Sequence, residues 1–385
     1  MCMAMRQPRP LWFAGLILGS GFVVLASIGC GGGGVKGISG IRSELVAVVG
    51  DGVTAMAFAP DGRLFLTEVS SGDVRVITPD GQLLPEPFAH LDVVTSPEWG
   101  LLGLAIDPEF EQNHYVYIYF IQSAGPGRYE AKPVLMRFTD ADNKGVDPTV
   151  IIEFPLANPE SPFHVAGAIH FGPDGYLYIS IGDTQRQELP QDLSSPFGKI
   201  LRVTRDGNGA PDNPFIDEPG ADPRVYAYGL RNSFAFTFEP ESGRIYAADN
   251  GDLNCDELNI IEAGKNYGWP QSFDTSGAPC HNPGAMEAIY YYAEPGMKPE
   301  EPGSNAAPTG VHFVSGQVYP ALGDGLLVCE FNPQFMRRLQ LAGPDKDQVT
   351  DDSVVVENCT VALTADSEGI IYYSMGKEVW RLPPQ

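Results

Sequence analysis

Apolar residues in this chain come in short runs, where β-branched and aromatic side chains alternate with polar ones, and a recurring turn breaks the runs. The phrase reads Phe58-Ala-Pro-Asp-Gly-Arg-Leu-Phe65, then Ile106-Asp-Pro-Glu-Phe110 followed by Tyr115-Val-Tyr-Ile-Tyr119. It returns as Phe171-Gly-Pro-Asp-Gly-Tyr-Leu-Tyr178, as Phe238-Glu-Pro-Glu-Ser-Gly-Arg-Ile-Tyr246, and in degraded form as Thr364-Ala-Asp-Ser-Glu-Gly-Ile-Ile-Tyr372. Each copy predicts strand, turn, strand. Proline pre-sets φ, the Asp side chain bonds within the turn, and glycine accepts a positive φ. The alternation on either side is that of half-buried strands.

Copies recur at roughly fifty to seventy residues, the period of a four-stranded propeller blade. The step from Pro240 to the last copy is about twice as long. One further blade is therefore expected between them, with Val311-His-Phe-Val-Ser-Gly-Gln-Val-Tyr319 and Gly325-Leu-Leu-Val-Cys329 as strands. The count gives an all-β fold, a six-bladed β-propeller of four-stranded antiparallel blades. A β-sandwich of repeated hairpins is the alternative, disfavoured by one period sustained along the chain. No long amphipathic helix pattern is visible. Loops at Leu189–Phe197, Pro211–Asp222 and Gln271–Gly303 interrupt the blades, and loops gathered on one face commonly build a site.

The N-terminus changes the picture of where this fold works. Arg6 and Arg9 precede an almost uncharged run from Leu11 to Ile28, which reads as a secretory signal. Gly29-Cys30 followed by Gly31–Gly34 resembles a lipoprotein cleavage site, with Cys30 as the lipidated residue, although Ser27 stands where leucine is usual. The expected organisation is a signal at 1–30, a glycine-rich linker at 31–42 and the propeller at 43–385. A periplasmic or cell-surface protein, held to the membrane only by its lipid, is the implied location. Charge adds an exclusion: 49 acidic against 24 basic residues, net −25, argue against a nucleic-acid partner. The same balance suits solubility, and is compatible with Ca²⁺. Beyond Cys2 and Cys30, Cys255, Cys280, Cys329 and Cys359 form an even set in an exported chain, which points to two disulfides. Of the three pairings, the sequence-local Cys255–Cys280 and Cys329–Cys359 are favoured.

Several segments then become specific. Gly100-Leu-Leu-Gly-Leu-Ala-Ile-Asp-Pro-Glu-Phe110, Gly172–Asp183, Gly198-Lys-Ile-Leu-Arg-Val203, Tyr228-Gly-Leu-Arg-Asn232, Asp256-Glu-Leu-Asn259 and Asn266-Tyr-Gly-Trp-Pro270 stand in this order. They resemble the soluble quinoprotein glucose/sorbosone dehydrogenase family, from about Val46 to Leu382. Around the fifth and sixth repeats the chain looks more like the hedgehog-interacting-protein-like branch. The resemblance implies oxidation of an aldose sugar to its lactone by pyrroloquinoline quinone (PQQ) and Ca²⁺, with an electron acceptor the sequence does not identify.

Carried onto this chain, the family's roles make His164 the general base, a task suited to a group titrating near neutrality. Taken alone, Pro162-Phe-His-Val-Ala-Gly167 is an irregular apolar loop in which a histidine can simply bond a backbone carbonyl. Phe163 stands where the family has Asp or Asn, so the partner that orients the imidazole is missing or comes from elsewhere. Arg231 and Asn232 match the pair that holds the quinone and stabilises charge on the reduced cofactor; a structural Arg bonding loop carbonyls is the alternative. Asp249-Asn-Gly-Asp-Leu-Asn-Cys-Asp-Glu257 is dense in oxygen. The resemblance assigns Ca²⁺ to the carbonyls of Gly251 and Asp252, with Asp256 and Glu257 as the acidic pair and Tyr267 near a second ion. Glu98 matches a Gln or Glu on the sugar side.

The resemblance breaks at three basic positions that answer the cofactor's three carboxylates. They fall here on Asn332, Cys359 and Val361. Arg337 and Arg338 lie nearby on a strand expected to turn them elsewhere. A second reading therefore stands beside the dehydrogenase: a non-catalytic, Ca²⁺-stabilised propeller that binds a glycan or protein. A Ca²⁺-dependent lactone hydrolase, which needs a carboxylate-rich metal site, is a third.

Overall fold

A computed structural model of the protein describes residues 41–384, apart from 126–129, 156–157, 159–160, 253, 271–279, 281–283, 294–295, 300 and 302. Residues Val35–Gln385 make one compact unit. Residues 1–40, with the expected signal segment, Cys30 and most of the expected linker, lie outside the described residues.

The repeated phrase becomes the turn between the first and second strands of a sheet. Val53–Phe58 and Leu64–Glu68 flank its first copy, Ala166–Phe171 and Leu177–Ile181 its third. The turn glycines Gly62 and Gly175 sit at φ 85° and 80°, a region open to glycine at no steric cost. Six such four-stranded antiparallel sheets form. Their first strands are Val53–Phe58, Leu101–Ile106, Ala166–Phe171, Ser233–Phe238, Pro308–Val314 and Leu363–Ala365, each touching the first strands of both neighbours. The ring closes into the expected six-bladed propeller.

Closure uses a strand from the other end of the chain. The sixth sheet runs Leu363–Ala365, Ile371–Met375, Glu378–Leu382, and its outermost strand is Glu44–Val48. Glu44 pairs with Arg381 in register and accepts an ion pair from it at 2.9 Å. Joining the two ends this way leaves the ring without a free seam.

Each sheet has two buried faces, so the apolar residues divide into six clusters, one between each pair of blades. Phe65 joins Leu104 and Val116 between the first two blades, while its neighbours Leu64 and Leu66 join Val379 between the last blade and the first. Strand alternation sends successive side chains to opposite interfaces. The one helix among the described residues is Phe110–Asn113, and none is long and apolar enough to cross a membrane.

Small residues let the first strands meet at the hub. A Cβ on Gly103 would stand 2.2 Å from the carbonyl of Gly167 on the next blade. In five of the six sheets the pairing of first and second strands also shifts register near the start of the first strand. Bulges of this kind re-aim the residues at the strand end, here at the end opposite the Pro-Asp-Gly turns. The loops that enter the first strands gather at that end.

Candidate functional site

His164 lies in the loop entering the third blade, with φ at 59°. Ala166, Thr184 and Gln185 around it also have positive φ, at 50°, 51° and 59°. Left-handed backbone in non-glycine residues is costly and gathers where the surrounding structure over-determines it. The imidazole Nδ1 is 2.7 Å from Oδ1 of Asp183, a fully buried side chain at the end of the strand Leu177–Ile181. Asp183 also accepts from the indole Nε1 of Trp269 at 2.7 Å and from the backbone of Gln185 at 2.7 Å. A carboxylate only accepts, so Nδ1 carries a proton, and in the neutral imidazole Nε2 is the nitrogen with the lone pair. No described residue bonds Nε2.

The orienting partner absent from position 163 is thus Asp183, nineteen residues further on. It was missed because strand periodicity treats the end of an apolar strand as a solvated turn. A signal was present: Ile181-Gly-Asp183 places a carboxylate at the hub end of the strand that follows the His164 loop.

Glu98 comes from the loop entering the second blade. Its carboxylate accepts from the backbone of His164 at 2.7 Å and from Nδ2 of Asn232 at 3.3 Å. Burial raises its pKa against the opposing pull of His164 and these bonds. Asn232 also uses Oδ1 to hold the backbone of Ala166 at 3.0 Å. Glu98, His164 and Asn232 therefore form one connected wall.

Arg231 stands beside it. Nη1 donates to the carbonyls of Asn250 and Gly251 at 2.9 and 2.6 Å, and Nη2 meets Asp252 at 3.1 Å. The guanidinium lies 5.3 Å from the ring centre of Trp269, so one tryptophan touches Asp183 through its edge and Arg231 through its face. The buried Nε of Arg231 and Oδ1 of Asn250 have no partner among the described residues. Asp249 receives the backbone N–H groups of Arg231 and Asn232 at 2.9 and 2.6 Å, and burial raises its pKa to about 6.

The acidic segment divides its labour. Asp256 accepts from the backbones of Gly251 and Ala307, both at 2.8 Å, and burial lifts its pKa to about 7. Both of its oxygens are engaged in shaping the loop. Glu257 lines a small cavity with Asp249, Asn250, Gly251, Tyr267 and Trp269, next to Arg231. Tyr267 spends its hydroxyl on the carbonyl of Ile260 at 2.6 Å. Among the described residues no group of three His, Cys, Asp or Glu side chains converges as a metal site.

The three positions of broken resemblance are neutral in space as in sequence. Asn332 bonds the carbonyl of Asn305 at 2.8 Å, and Val361 borders the central channel. Cys359 is buried in a disulfide with Cys329, and Cys255 pairs with Cys280, as the local pairing anticipated. Arg337 is bound to Glu330 and Asp352, and Arg338 to the carbonyl of Leu322 and to Asp351. Both are spoken for away from these positions.

A family profile described as glucose/sorbosone dehydrogenase matches residues 51–378, and the chain belongs to that family. It is 32% identical to the aldose sugar dehydrogenase YliI of Escherichia coli over 56% of this chain and 58% of that protein. It is 29% identical to the quinoprotein glucose dehydrogenase B of Acinetobacter calcoaceticus, over 56% and 49%. Human hedgehog-interacting protein is 28% identical over 51% of this chain and 30% of its own length. These matches span about half or less of the curated relatives. Among solved structures, a Thermus thermophilus oxidoreductase (glucose dehydrogenase) is 31% identical, with a TM-score of 0.76, covering 89% of this chain and all of the other.

Proposed function

We propose that the chain oxidises an aldose at its anomeric carbon with PQQ and Ca²⁺, and that His164 is the base. What supports this reading most is the 2.7 Å bond from His164 to buried Asp183, next to an arginine whose Nε has no partner among the described residues. The residues at the hub fit the redox end of a planar quinone: the Arg231 guanidinium, whose buried Nε is unpaired among the described residues, the adjacent Trp269 and the Glu98–Asn232 wall. Arg231 and Asn232 would hold it. The small cavity beside them, lined by Asn250, Gly251 and Glu257, offers oxygen to a hard cation, with Asn250 Oδ1 unpaired among the described residues; such an ion would share the Gly251 carbonyl with Arg231, which also holds Asp252.

Bound there, the quinone would supply a two-electron acceptor for hydride. The protein's own part is to position and to move one proton. Asp183 fixes the Nδ1–H tautomer, which leaves Nε2 free to take the anomeric hydroxyl proton. The imidazolium so formed is stabilised by the Asp183 carboxylate at 2.7 Å. Glu98, held by the His164 backbone, offers an acceptor to a neighbouring sugar hydroxyl. The Arg231 guanidinium favours negative charge developing on an adjacent oxygen. Export, with a lipid on Cys30, completes the reading and is checked by metabolic labelling with palmitate.

The second reading, a binding propeller without turnover, is favoured by neutral Asn332, Cys359 and Val361, which leave a tricarboxylate short of compensating charge. One experiment separates the two. The purified protein is titrated with PQQ and CaCl₂ by absorbance, then assayed on a sugar panel with an artificial acceptor. Saturable quinone binding and turnover that His164→Ala lowers by about 10²–10⁴ are expected. Absence of saturable quinone binding overturns the dehydrogenase.

A further inference from the structure

We propose that Lys199 is a positioning residue for the His164–Asp183 pair, its ammonium acting as a built-in cation that closes the loop from Asp183 to Gly198. This rests on the reading of His164 as the base.

Lys199 opens the strand Lys199–Val203 and is fully buried, with a relative exposure of 0%. Among the described residues no carboxylate lies within ion-pair distance of it. Its Nζ instead donates to three backbone carbonyls: Leu189 at 2.9 Å, Pro190 at 2.9 Å and Phe197 at 2.8 Å. An ammonium has three donors for three acceptors, whereas a neutral amine would turn a lone pair toward one of them. Burying such a charge is unfavourable, and burial lowers the pKa of Lys199 to about 7, with Asp192 and Asp222 pulling the other way. Packing alone would be served better by methionine or leucine. The carbonyl cage is what the ammonium supplies.

The cage sits where the three site-bearing segments converge. The Pro190 carbonyl that Lys199 holds also accepts from the backbone of Gly229, two residues before Arg231. Gln191, the next residue, donates from Nε2 to the carbonyl of Trp269 at 2.7 Å and to Asn266 at 3.0 Å. Trp269 in turn donates to Asp183. At the far end, Gly198 next to Lys199 donates to the carbonyl of Gly182 at 3.1 Å and accepts from Leu230 at 3.1 Å. Releasing the cage therefore frees Trp269 and the backbone on both sides of Asp183 and Arg231.

The test uses the full chain with Lys199→Met, which keeps the length and removes the donors. Two readouts need neither sugar nor quinone. Amide hydrogen exchange across Asp183–Gly198 should speed by at least about 10-fold while the other blades keep wild-type protection. In ¹⁵N NMR, His164 should pass from one Nδ1–H tautomer to a mixture, which loss of mere bulk elsewhere would not cause. A folded Lys199→Met protein with wild-type exchange in this loop and a single His164 tautomer overturns the proposal. Should Lys199→Met not fold, Gln191→Ala cuts the next link at an exposed residue. A mixed His164 tautomer then supports the proposal, and an unchanged one overturns it. Failure of sugar oxidation in the wild type would remove the dehydrogenase reading without altering either readout.

Discussion

His164 and Asp183 meet at 2.7 Å across a bend that places one in a loop with left-handed backbone and the other at a strand end with no exposed surface. The two carboxylate oxygens of Asp183 receive donors from three residues, His164 and Gln185 on one and Trp269 on the other. Asparagine has a single acceptor oxygen. In Asp183→Asn one of these donors must face an NH₂ group, and where that donor is His164 the tautomer inverts and Nε2 carries the proton. The expected result is a fall in kcat of about 10²–10⁴ with a smaller change in KM, together with a shift in the His164 ¹⁵N tautomer pattern. Wild-type kcat in a folded Asp183→Asn protein would remove Asp183 from the mechanism.

Gly182 is the reason His164 can reach Asp183 at all. A Cβ there would stand 2.1 Å from the His164 carbonyl and 2.9 Å from Oδ1 of Asn232. Gly182→Ala should cost about 1–3 kcal/mol through overpacking and should lower kcat by displacing the base. Gly175→Ala is the control: its turn at φ 80° is strained by a side chain, but nothing lies within 4 Å of the new carbon. It should cost about 1–2 kcal/mol and leave kcat alone. Urea unfolding and steady-state kinetics on both variants separate strain from displacement.

The blades were legible because a turn phrase repeats and strand alternation is local. Asp174 and Gly175 say where one strand ends and the next begins without help from the rest of the chain. The closing strand was not, since Glu44 finds Arg381 across 337 positions and nothing in Glu44–Val48 marks it as the outer edge of the last sheet. At the candidate site, motif order pointed to His164, Arg231 and Asn232, which the fold brings together, and to the neutral trio at 332, 359 and 361. Asp183, Trp269 and Lys199 escaped for a shared reason. Each is tied in by a bond to a residue many positions away or to backbone carbonyls, and neither leaves a spacing in sequence. Asp256 was legible as acidic but not as a residue whose oxygens both serve backbone N–H groups.

Charge at the hub wall sets a third expectation. Asn332 is exposed, and among the described residues its side chain bonds only Asn305, so Asn332→Lys adds a cation at little cost to the fold. If a tricarboxylate binds there, its affinity should rise by about 5–10-fold at low salt and the gain should shrink as ionic strength shortens the screening length. The reading is a pair of PQQ titrations by absorbance at low and high NaCl. An unchanged affinity at low salt would mean that the carboxylates of the ligand do not face this wall.

Cys329 and Cys359 tie the second strand of the fifth blade to the loop entering the sixth, and both are fully buried. Opening a bridge between residues thirty positions apart should cost about 3.5 kcal/mol on the chain-entropy estimate. The Cys329→Ala, Cys359→Ala double variant should therefore melt well below the wild type, while its β circular dichroism persists at low temperature. A melting curve unchanged by both the substitution and a reductant would show that strand pairing alone holds this corner.

Acid should find the hub before the surface. His170 and His312 occupy equivalent places in the third and fifth blades, each the fifth residue of its blade's first strand, where His170 pairs with Tyr178 and His312 with Leu327. Burial lowers both pKa values to about 4, and His312 adds a repulsive contribution to His170. An unfolded histidine titrates near 6.5. Between those values the unfolded chain binds protons that the folded chain refuses, so this contribution to stability is intact above about pH 6.5 and lost as pH falls through about 4. At pH 5 the cost is on the order of 1–2 kcal/mol for each histidine. Urea midpoints should therefore drop from pH 7.5 to pH 5, and the His170→Leu, His312→Leu double variant should show a much smaller drop. An equal drop in both proteins would place the acid sensitivity outside these two histidines, and not at Glu239, whose pKa is lowered to about 2 with Lys346 and Ser242 bonded to it and whose contribution fades only below about pH 4.5.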